Sequence, residues 1–178
     1  DNIAAVIETE LLPKMGDIYP EEIYFYGSGC REDKVEMMCS ILGKAFPHCA
    51  RIEARGDLLA AARAVCGANE GIACIMGTGA NSCLYDGKRV VENTPPLGYI
   101  LGDEGSGAVL GKLFVNALFK GQLPESLKDE WLSETGLSIN IIINKVYREP
   151  LANRFLASTS KFIRQHLEVK QLEEMVVD

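Results

Sequence analysis

Two glycine-punctuated segments between Gly71 and Gly111 carry the residues best suited to chemistry. The apolar run Ile72–Met76 leads directly into Gly77-Thr78-Gly79-Ala80-Asn81-Ser82. Two glycines flanking a threonine expose backbone N–H groups with no Cβ in the way, a surface that suits phosphate oxygens. The bland alternative is a plain hairpin turn, because a Gly-x-Gly on its own is a weak signal. Asn81, just past the turn, can donate and accept toward a polyol or merely finish the turn. The second segment, Leu97-Gly98-Tyr99-Ile100-Leu101-Gly102-Asp103-Glu104-Gly105-Ser106-Gly107, sets two acids at the mouth of a helix. Asp103 could hold a hydroxyl or a hydrated Mg²⁺, or act as a helix N-cap favoured by the macrodipole. Gly105 and Gly107 lower helix stability relative to alanine, which points to close approach of backbone or ligand. A third acid, Asp57, stands in Arg55-Gly56-Asp57-Leu58 where a strand gives way to a helix. Ligands bind at that edge of open α/β sheets, and a carboxylate there can accept a proton from an attacking hydroxyl. A helix N-cap is its structural alternative.

The elements that must position these residues read differently in the two halves. Ile3, Val6, Ile7, Leu11 and Leu12 make a helical stripe, and residues 22–26 read as a strand. Gly27-Ser28-Gly29 then turns the chain into a helix with Val35, Met38, Ile41, Leu42 and Phe46 apolar. Residues 50–54 read as another strand, and Asp57 opens an alanine-rich helix through Val65. Strands alternating with helices imply parallel pairing. After the strand at 72–76, two shorter strands (82–85 and 88–92) flank an Asp86-Gly87 turn. A long helix is expected over 106–120, followed by helices at 125–135, 138–148, 150–166 and 167–176. Trp131 reads as a packing residue. The turn at Asn69-Glu70-Gly71 divides the reading into residues 1–69 and 70–178.

The chain has 178 residues, 47% apolar and 24% charged, so a packed core is expected and disorder is not. A net charge of −7 with no basic stripe argues against a nucleic-acid partner. No apolar run approaches the roughly 20 residues that span a bilayer, so no membrane association is expected. No basic n-region opens the sequence, which predicts a cytoplasmic protein. The six cysteines lack a Cys-x-x-Cys spacing, so no zinc or iron–sulfur site is expected. His48 and His166 show no partner pattern.

Taken together, Gly56-Asp57 with its alanine-rich helix, Gly77-Thr78-Gly79-Ala80-Asn81, and Leu101-Gly102-Asp103-Glu104-Gly105-Ser106 resemble the sugar kinase–actin-like ATPase superfamily. The nearest likeness is to the N-acetylglucosamine kinase and BadF-type ATPase group, and it covers essentially the whole chain. The resemblance implies an α/β fold of two ribonuclease-H-like lobes, incomplete here at both ends, with a helical C-terminal part. Residues 1–69 would be the remainder of the N-terminal lobe and 70–178 the C-terminal lobe. The family's first phosphate motif and C-terminal adenosine motif have no counterpart here, so little turnover is expected of this chain alone. Where that family carries Gly-Trp-Gly, this chain has Pro96-Leu97-Gly98.

Carried over by motif, Asp57 matches the base that takes the proton from a sugar 6-hydroxyl. Gly77, Thr78 and Gly79 match a loop on the β/γ-phosphates of ATP. Asn81 and Asp103 match residues that hold sugar hydroxyls, and Leu97 and Gly98 lie where the sugar pocket would be shaped. The implied ligands are ATP, Mg²⁺ and an amino sugar such as N-acetylglucosamine or glucosamine, and a homodimer is compatible with the family. Two other functions fit the same motifs: a BadF-type ATPase that activates a partner protein, and a sugar-sensing module without turnover.

Overall fold

The computed structural model describes residues 2–177. It is mixed α/β and divides into two compact units. One runs to Ala73 and includes Cys83–Glu92; the other comprises Cys74–Ser82 and the chain from Asn93 onward.

The first unit opens with α1 (Asn2–Val6), a π-helical turn (Ile7–Leu11) and α2 (Leu12–Met15). Strand β1 (Glu22–Gly27), helix α3 (Glu32–Ala45), strand β2 (Arg51–Gly56) and helix α4 (Asp57–Cys66) follow. β1 and β2 pair in parallel with Gly27 opposite Gly56, as the alternating pattern requires. Ile7, Met38, Leu42 and Ala54 are buried together, with Ile23, Phe25 and Ile52 against them. One face of the strand pair is thus covered by α3 and the N-terminal helices. The residues on the other face form a polar lattice. Arg51 lies over the Tyr24 ring and Arg63 over that of Tyr26, while Arg55 pairs with Glu53 at 3.3 Å.

A second sheet has the order β3-β4-β5, with β3 at Glu70–Met76, β4 at Ala80–Asp86 and β5 at Val90–Thr94. The Asp86-Gly87 turn joins β4 to β5 as expected. Asp86 Oδ1 accepts the Lys88 and Arg89 N–H groups at 2.9 and 2.8 Å, and Gly87 has φ +91°. Those two backbone donors hold the Asp86 carboxyl below its ordinary pKa.

The second unit continues through α5 (Gly98–Leu101), α6 (Gly107–Phe119), α7 (Glu125–Thr135) and α8 (Ile139–Tyr147), then α9 (Ala152–Ser158), α10 (Ser160–Gln165) and α11 (Lys170–Val177). Its core is Phe114, Leu118, Leu127, Trp131, Ile142, Phe162, Ile163 and Leu172. Trp131 meets Phe114 edge-on at 5.4 Å, which confirms its packing role. The single helix expected over 150–166 is instead broken at Thr159. Ser158, Thr159 and Ser160 each turn a hydroxyl back onto the carbonyl three residues earlier, at 2.7–2.8 Å. Three consecutive hydroxyls competing for the helical ladder account for the break.

Helices α6 and α9 cross with little between them. A Cβ at Gly111 would run into the Leu156 carbonyl oxygen and come within 2.8 Å of Thr159 Oγ1. Gly111→Ala is therefore expected to destabilise the protein by about 1–3 kcal/mol, although alanine favours an exposed helix by about 1 kcal/mol. Urea unfolding checks this, and a stabilised variant would show that the crossing is looser than described.

His166 gives a pH handle on the same unit. Its Nδ1 faces the Phe162 carbonyl at 2.9 Å and its Nε2 faces Glu130 Oε1 at 3.1 Å. Both neighbours are acceptors, so only the doubly protonated ring satisfies both. The Phe162 carbonyl first, then Glu130, raise the His166 pKa. A raised folded-state pKa contributes stability that is fully present below the ordinary histidine value, and that is lost as pH rises through the folded value. The melting temperature should fall between about pH 6 and 8, and His166→Gln should flatten that dependence. An unchanged slope in the variant would assign the effect to other groups.

Candidate functional site

Asp57 lies in the first unit, at the carboxyl end of β2. Gly56 is the N-cap of α4 in extended conformation, and Asp57 is the first helical residue. The capping alternative therefore falls to Gly56. The carboxylate is half-buried, and its Oδ1 accepts the Leu58 N–H at 3.0 Å. Beside it β1 ends in the Gly27-Ser28-Gly29 turn, closed by Cys30 N–H on the Gly27 carbonyl at 3.1 Å. Both strands of the parallel pair thus end together, and Asp57 stands on that edge. This is the placement at which open α/β sheets present ligand-binding groups.

The other candidates belong to the second unit, where the structure brings several of them together. The Gly77–Gly79 turn closes on itself, with Gly77 N–H donating to the Gly79 carbonyl at 2.9 Å. Helix α6 holds the turn from behind. Its first two N–H groups, on Gly107 and Ala108, donate to the Gly77 and Thr78 carbonyls at 2.8 and 3.2 Å. The remaining N-terminal donors of α6 are also taken: Val109 N–H reaches Ser106 Oγ at 3.2 Å and Leu110 N–H the Ser106 carbonyl at 2.9 Å. The helix mouth is therefore occupied by protein, and no donors of its first turn remain for an anion. The Thr78 and Gly79 N–H groups, by contrast, donate to no acceptor among the described residues. A Cβ at Gly77 would meet open space. The turn presents bare N–H groups on a fixed base, which is the arrangement anions favour.

Asp103 is not the cap of α6; Ser106 is, fully buried with its hydroxyl on Val109 N–H. Asp103 instead has φ +57°, and its carboxylate lies against the turn. A Cβ at Gly79 would stand 2.9 Å from Asp103 Oδ2. The loop that holds it is tightly wound. Asp103 N–H donates to the Pro96 carbonyl at 2.9 Å, its own carbonyl accepts Ser106 N–H at 2.9 Å, and a Cβ at Gly102 would collide with Pro96 O. Leu97 has φ +58° and caps α5 in the left-handed region, with Gly98 at +74° behind it. Leu97 and Asp103 are two of the three left-handed non-glycine residues among the described ones. Each such position costs about 1–2 kcal/mol, and strain of this kind gathers at functional sites. The Leu97 side chain is mostly exposed.

Asn81 is half-buried and its amide is already oriented. Its Oδ1 accepts Ser82 N–H at 2.9 Å and Asn93 Nδ2 at 2.7 Å. Asn93 lies in β5, one residue beyond the strand expected over 88–92, and nothing but its residue type marks it in the sequence. A cavity of about 550 Å³ elsewhere, between the N-terminal helices and β1, touches none of the candidate residues. Its lining is apolar apart from Glu22 and the Tyr24 hydroxyl that donates to it, without the converging polar groups of a ligand site.

The first unit thus carries a carboxylate at the carboxyl edge of a parallel strand pair, and the second a glycine turn with unclaimed N–H groups beside another carboxylate. No protein-family model matches the chain, and no curated protein matches it significantly. Among solved structures, the "putative N-acetylglucosamine kinase" of Porphyromonas gingivalis superposes with a TM-score of 0.94 at 52% identity over 99% of this chain. That likeness supports an N-acetylglucosamine kinase-type group for this chain. It spans 63% of the length of that P. gingivalis chain, so it carries part of the two-lobe fold. No helix among the described residues is long and apolar enough to cross a membrane.

The contact between turn and acid is open to a double-mutant test. Gly79→Ala is expected to cost about 1 kcal/mol in the wild-type background and close to nothing when Asp103 is already alanine. Equal costs in both backgrounds, by chemical denaturation, would show that Asp103 is not what the added methyl meets.

Proposed function

We propose that this protein is an ATP-dependent sugar kinase that phosphorylates an amino sugar, N-acetylglucosamine or glucosamine, at its 6-hydroxyl. The observation that carries this reading is the Gly77–Gly79 turn, its carbonyls tied to α6 and its Thr78 and Gly79 N–H groups left unclaimed beside Asp103. The likeness to the P. gingivalis protein supports it.

In this reading the turn's N–H groups bind the β- and γ-phosphates, where charge accumulates as the phosphoryl group moves. The fit rests on the open space at Gly77, which lets phosphate approach backbone closely. Mg²⁺ accompanies ATP, neutralising its phosphate oxygens and needing one or two carboxylates at most. Asp57 accepts the proton of the 6-hydroxyl as its oxygen bonds to the γ-phosphorus, and the bond from that phosphorus to the β,γ-bridging oxygen breaks to release ADP. Asn81 and Asp103 hold hydroxyls of the acceptor, and Leu97 with Gly98 shapes the sugar pocket. Free thiols at Cys30, Cys39, Cys49, Cys66 and Cys74 fit a reducing, cytoplasmic setting.

An ADP-release screen of the full-length protein, of which this chain carries part of the two-lobe fold, against amino sugars, their N-acetyl forms and glucose tests the activity. Turnover with an amino sugar is expected, and Asp57→Asn should lower kcat at least about 10²-fold with the fold intact. Near-wild-type turnover in that variant would remove Asp57 from the role. Sugar-dependent thermal stabilisation without ADP release would favour a sensing module, and ATP hydrolysis indifferent to sugar an ATPase that drives a partner.

A further inference from the structure

We propose that Asn93 is a positioning residue that fixes the polarity of the Asn81 amide, so that Asn81 meets the sugar as a hydrogen-bond donor and not as an acceptor. The inference rests on the sugar-binding reading of Asn81 and adds to it the direction of the contact and the residue that sets it.

An asparagine amide offers an oxygen and an NH₂ of nearly equal size, and its surroundings decide which way round it sits. At Asn81 three groups converge on that choice. Ser82 N–H, a donor that cannot reverse, points at Asn81 Oδ1 from 2.9 Å. Asn93 Nδ2 points at the same oxygen from 2.7 Å. Asn93 is itself held in register, because its Nδ2 also donates to the Ser82 carbonyl at 2.6 Å. A carbonyl can only accept, so the NH₂ of Asn93 has to face this way, and Asn81 must then answer with its oxygen. Two donors on Oδ1 occupy both its lone pairs. Nδ2 is left as the group of Asn81 with hydrogen-bonding capacity to spend on a ligand. Its partner on a sugar is an oxygen lone pair, such as that of a hydroxyl or an N-acetyl carbonyl.

Isosteric substitution separates this role from simple packing. Asn93→Asp keeps the shape but places a carboxylate oxygen against both Asn81 Oδ1 and the Ser82 carbonyl. Relief comes if the Asn81 amide turns over, which presents its oxygen to the sugar. Asn93→Ala removes the donor but leaves Ser82 N–H to hold the amide. Measured in the full-length protein, the KM for N-acetylglucosamine and for glucosamine should therefore rise about 10-fold in Asn93→Asp and less in Asn93→Ala, with the KM for ATP unchanged. In an Asn81→Ala background, Asn93→Asp should add almost nothing, because there is no amide left to orient.

Each outcome decides. If Asn93→Asp raises the sugar KM equally with and without Asn81, or if Asn93→Ala is the worse variant, Asn93 does not act through the amide and the inference falls while the kinase reading stands. If Asn81→Ala itself leaves the sugar KM untouched, the sugar contact at Asn81 is wrong and the inference falls with it. Thermal melting of every variant is expected to stay within a few degrees of wild type. A collapse confined to Asn93→Asp would overturn the proposal in favour of a structural role for the pair.

Discussion

Helix α6 begins on the carbonyls of a glycine turn, and the arrangement of the second unit depends on that junction. A helix start leaves its first N–H groups without internal partners. Here Gly107 and Ala108 place two of them on the Gly77 and Thr78 carbonyls. Each side completes the other's hydrogen bonding, so the turn and the helix fix one another's position. The same helix is pressed onto α9 through Gly107 and Gly111, where added methyls would meet Ala157 and the Leu156 carbonyl. Phe114 and Leu118, further along α6, reach the buried cluster around Trp131. The turn is thereby anchored to the largest hydrophobic core in the chain through one rigid element.

That anchoring changes which groups are free for chemistry. A helix N-terminus is ordinarily the first place to look for an anion, and the sequence around Asp103–Gly107 invites that reading. In the structure the helix spends its donors on protein and the turn keeps its own. The capacity to bind an anion is displaced from the helix to the turn. Asp103 takes part in the same arrangement: with φ +57° and its N–H on the Pro96 carbonyl, it is held where its carboxylate overlies Gly79. A carboxylate beside unclaimed N–H groups would repel a phosphate that came too near it. Under the proposed kinase reading, it suits a neutral, hydroxyl-bearing partner next to the phosphate.

Much of this was legible in the residue order, and the parts that were not have physical causes. The parallel pairing of β1 with β2, the Asp86-Gly87 turn, the packing of Trp131 and the close approach at Gly107 follow from local patterns that tertiary structure had no reason to override. The helix break at Thr159 went unread because three hydroxyls act there against an otherwise helical sequence, and periodicity does not register side-chain hydrogen bonds. The capping alternative fails at both acids for a common reason. Asp57 and Asp103 are good caps by type, yet Gly56 and Ser106 fill those positions. Asn93 could not be seen at all, since its role exists only once β4 and β5 lie side by side.

The two glycines of the turn illustrate how one motif can answer two demands. Neither has a positive φ, so backbone conformation does not require glycine at either position. Gly79 is needed because Asp103 lies where a side chain would be; its constraint is internal and would hold in the absence of any ligand. Gly77 has nothing within 4 Å of where a Cβ would stand. No contact within the protein explains its lack of a side chain, which is what the proposed approach of phosphate to the backbone requires. Thr78, between them, gives its carbonyl to α6 and keeps its N–H. Across three residues the turn passes from a side open to its surroundings to a side packed against the protein, an asymmetry that suits the binding role proposed for it.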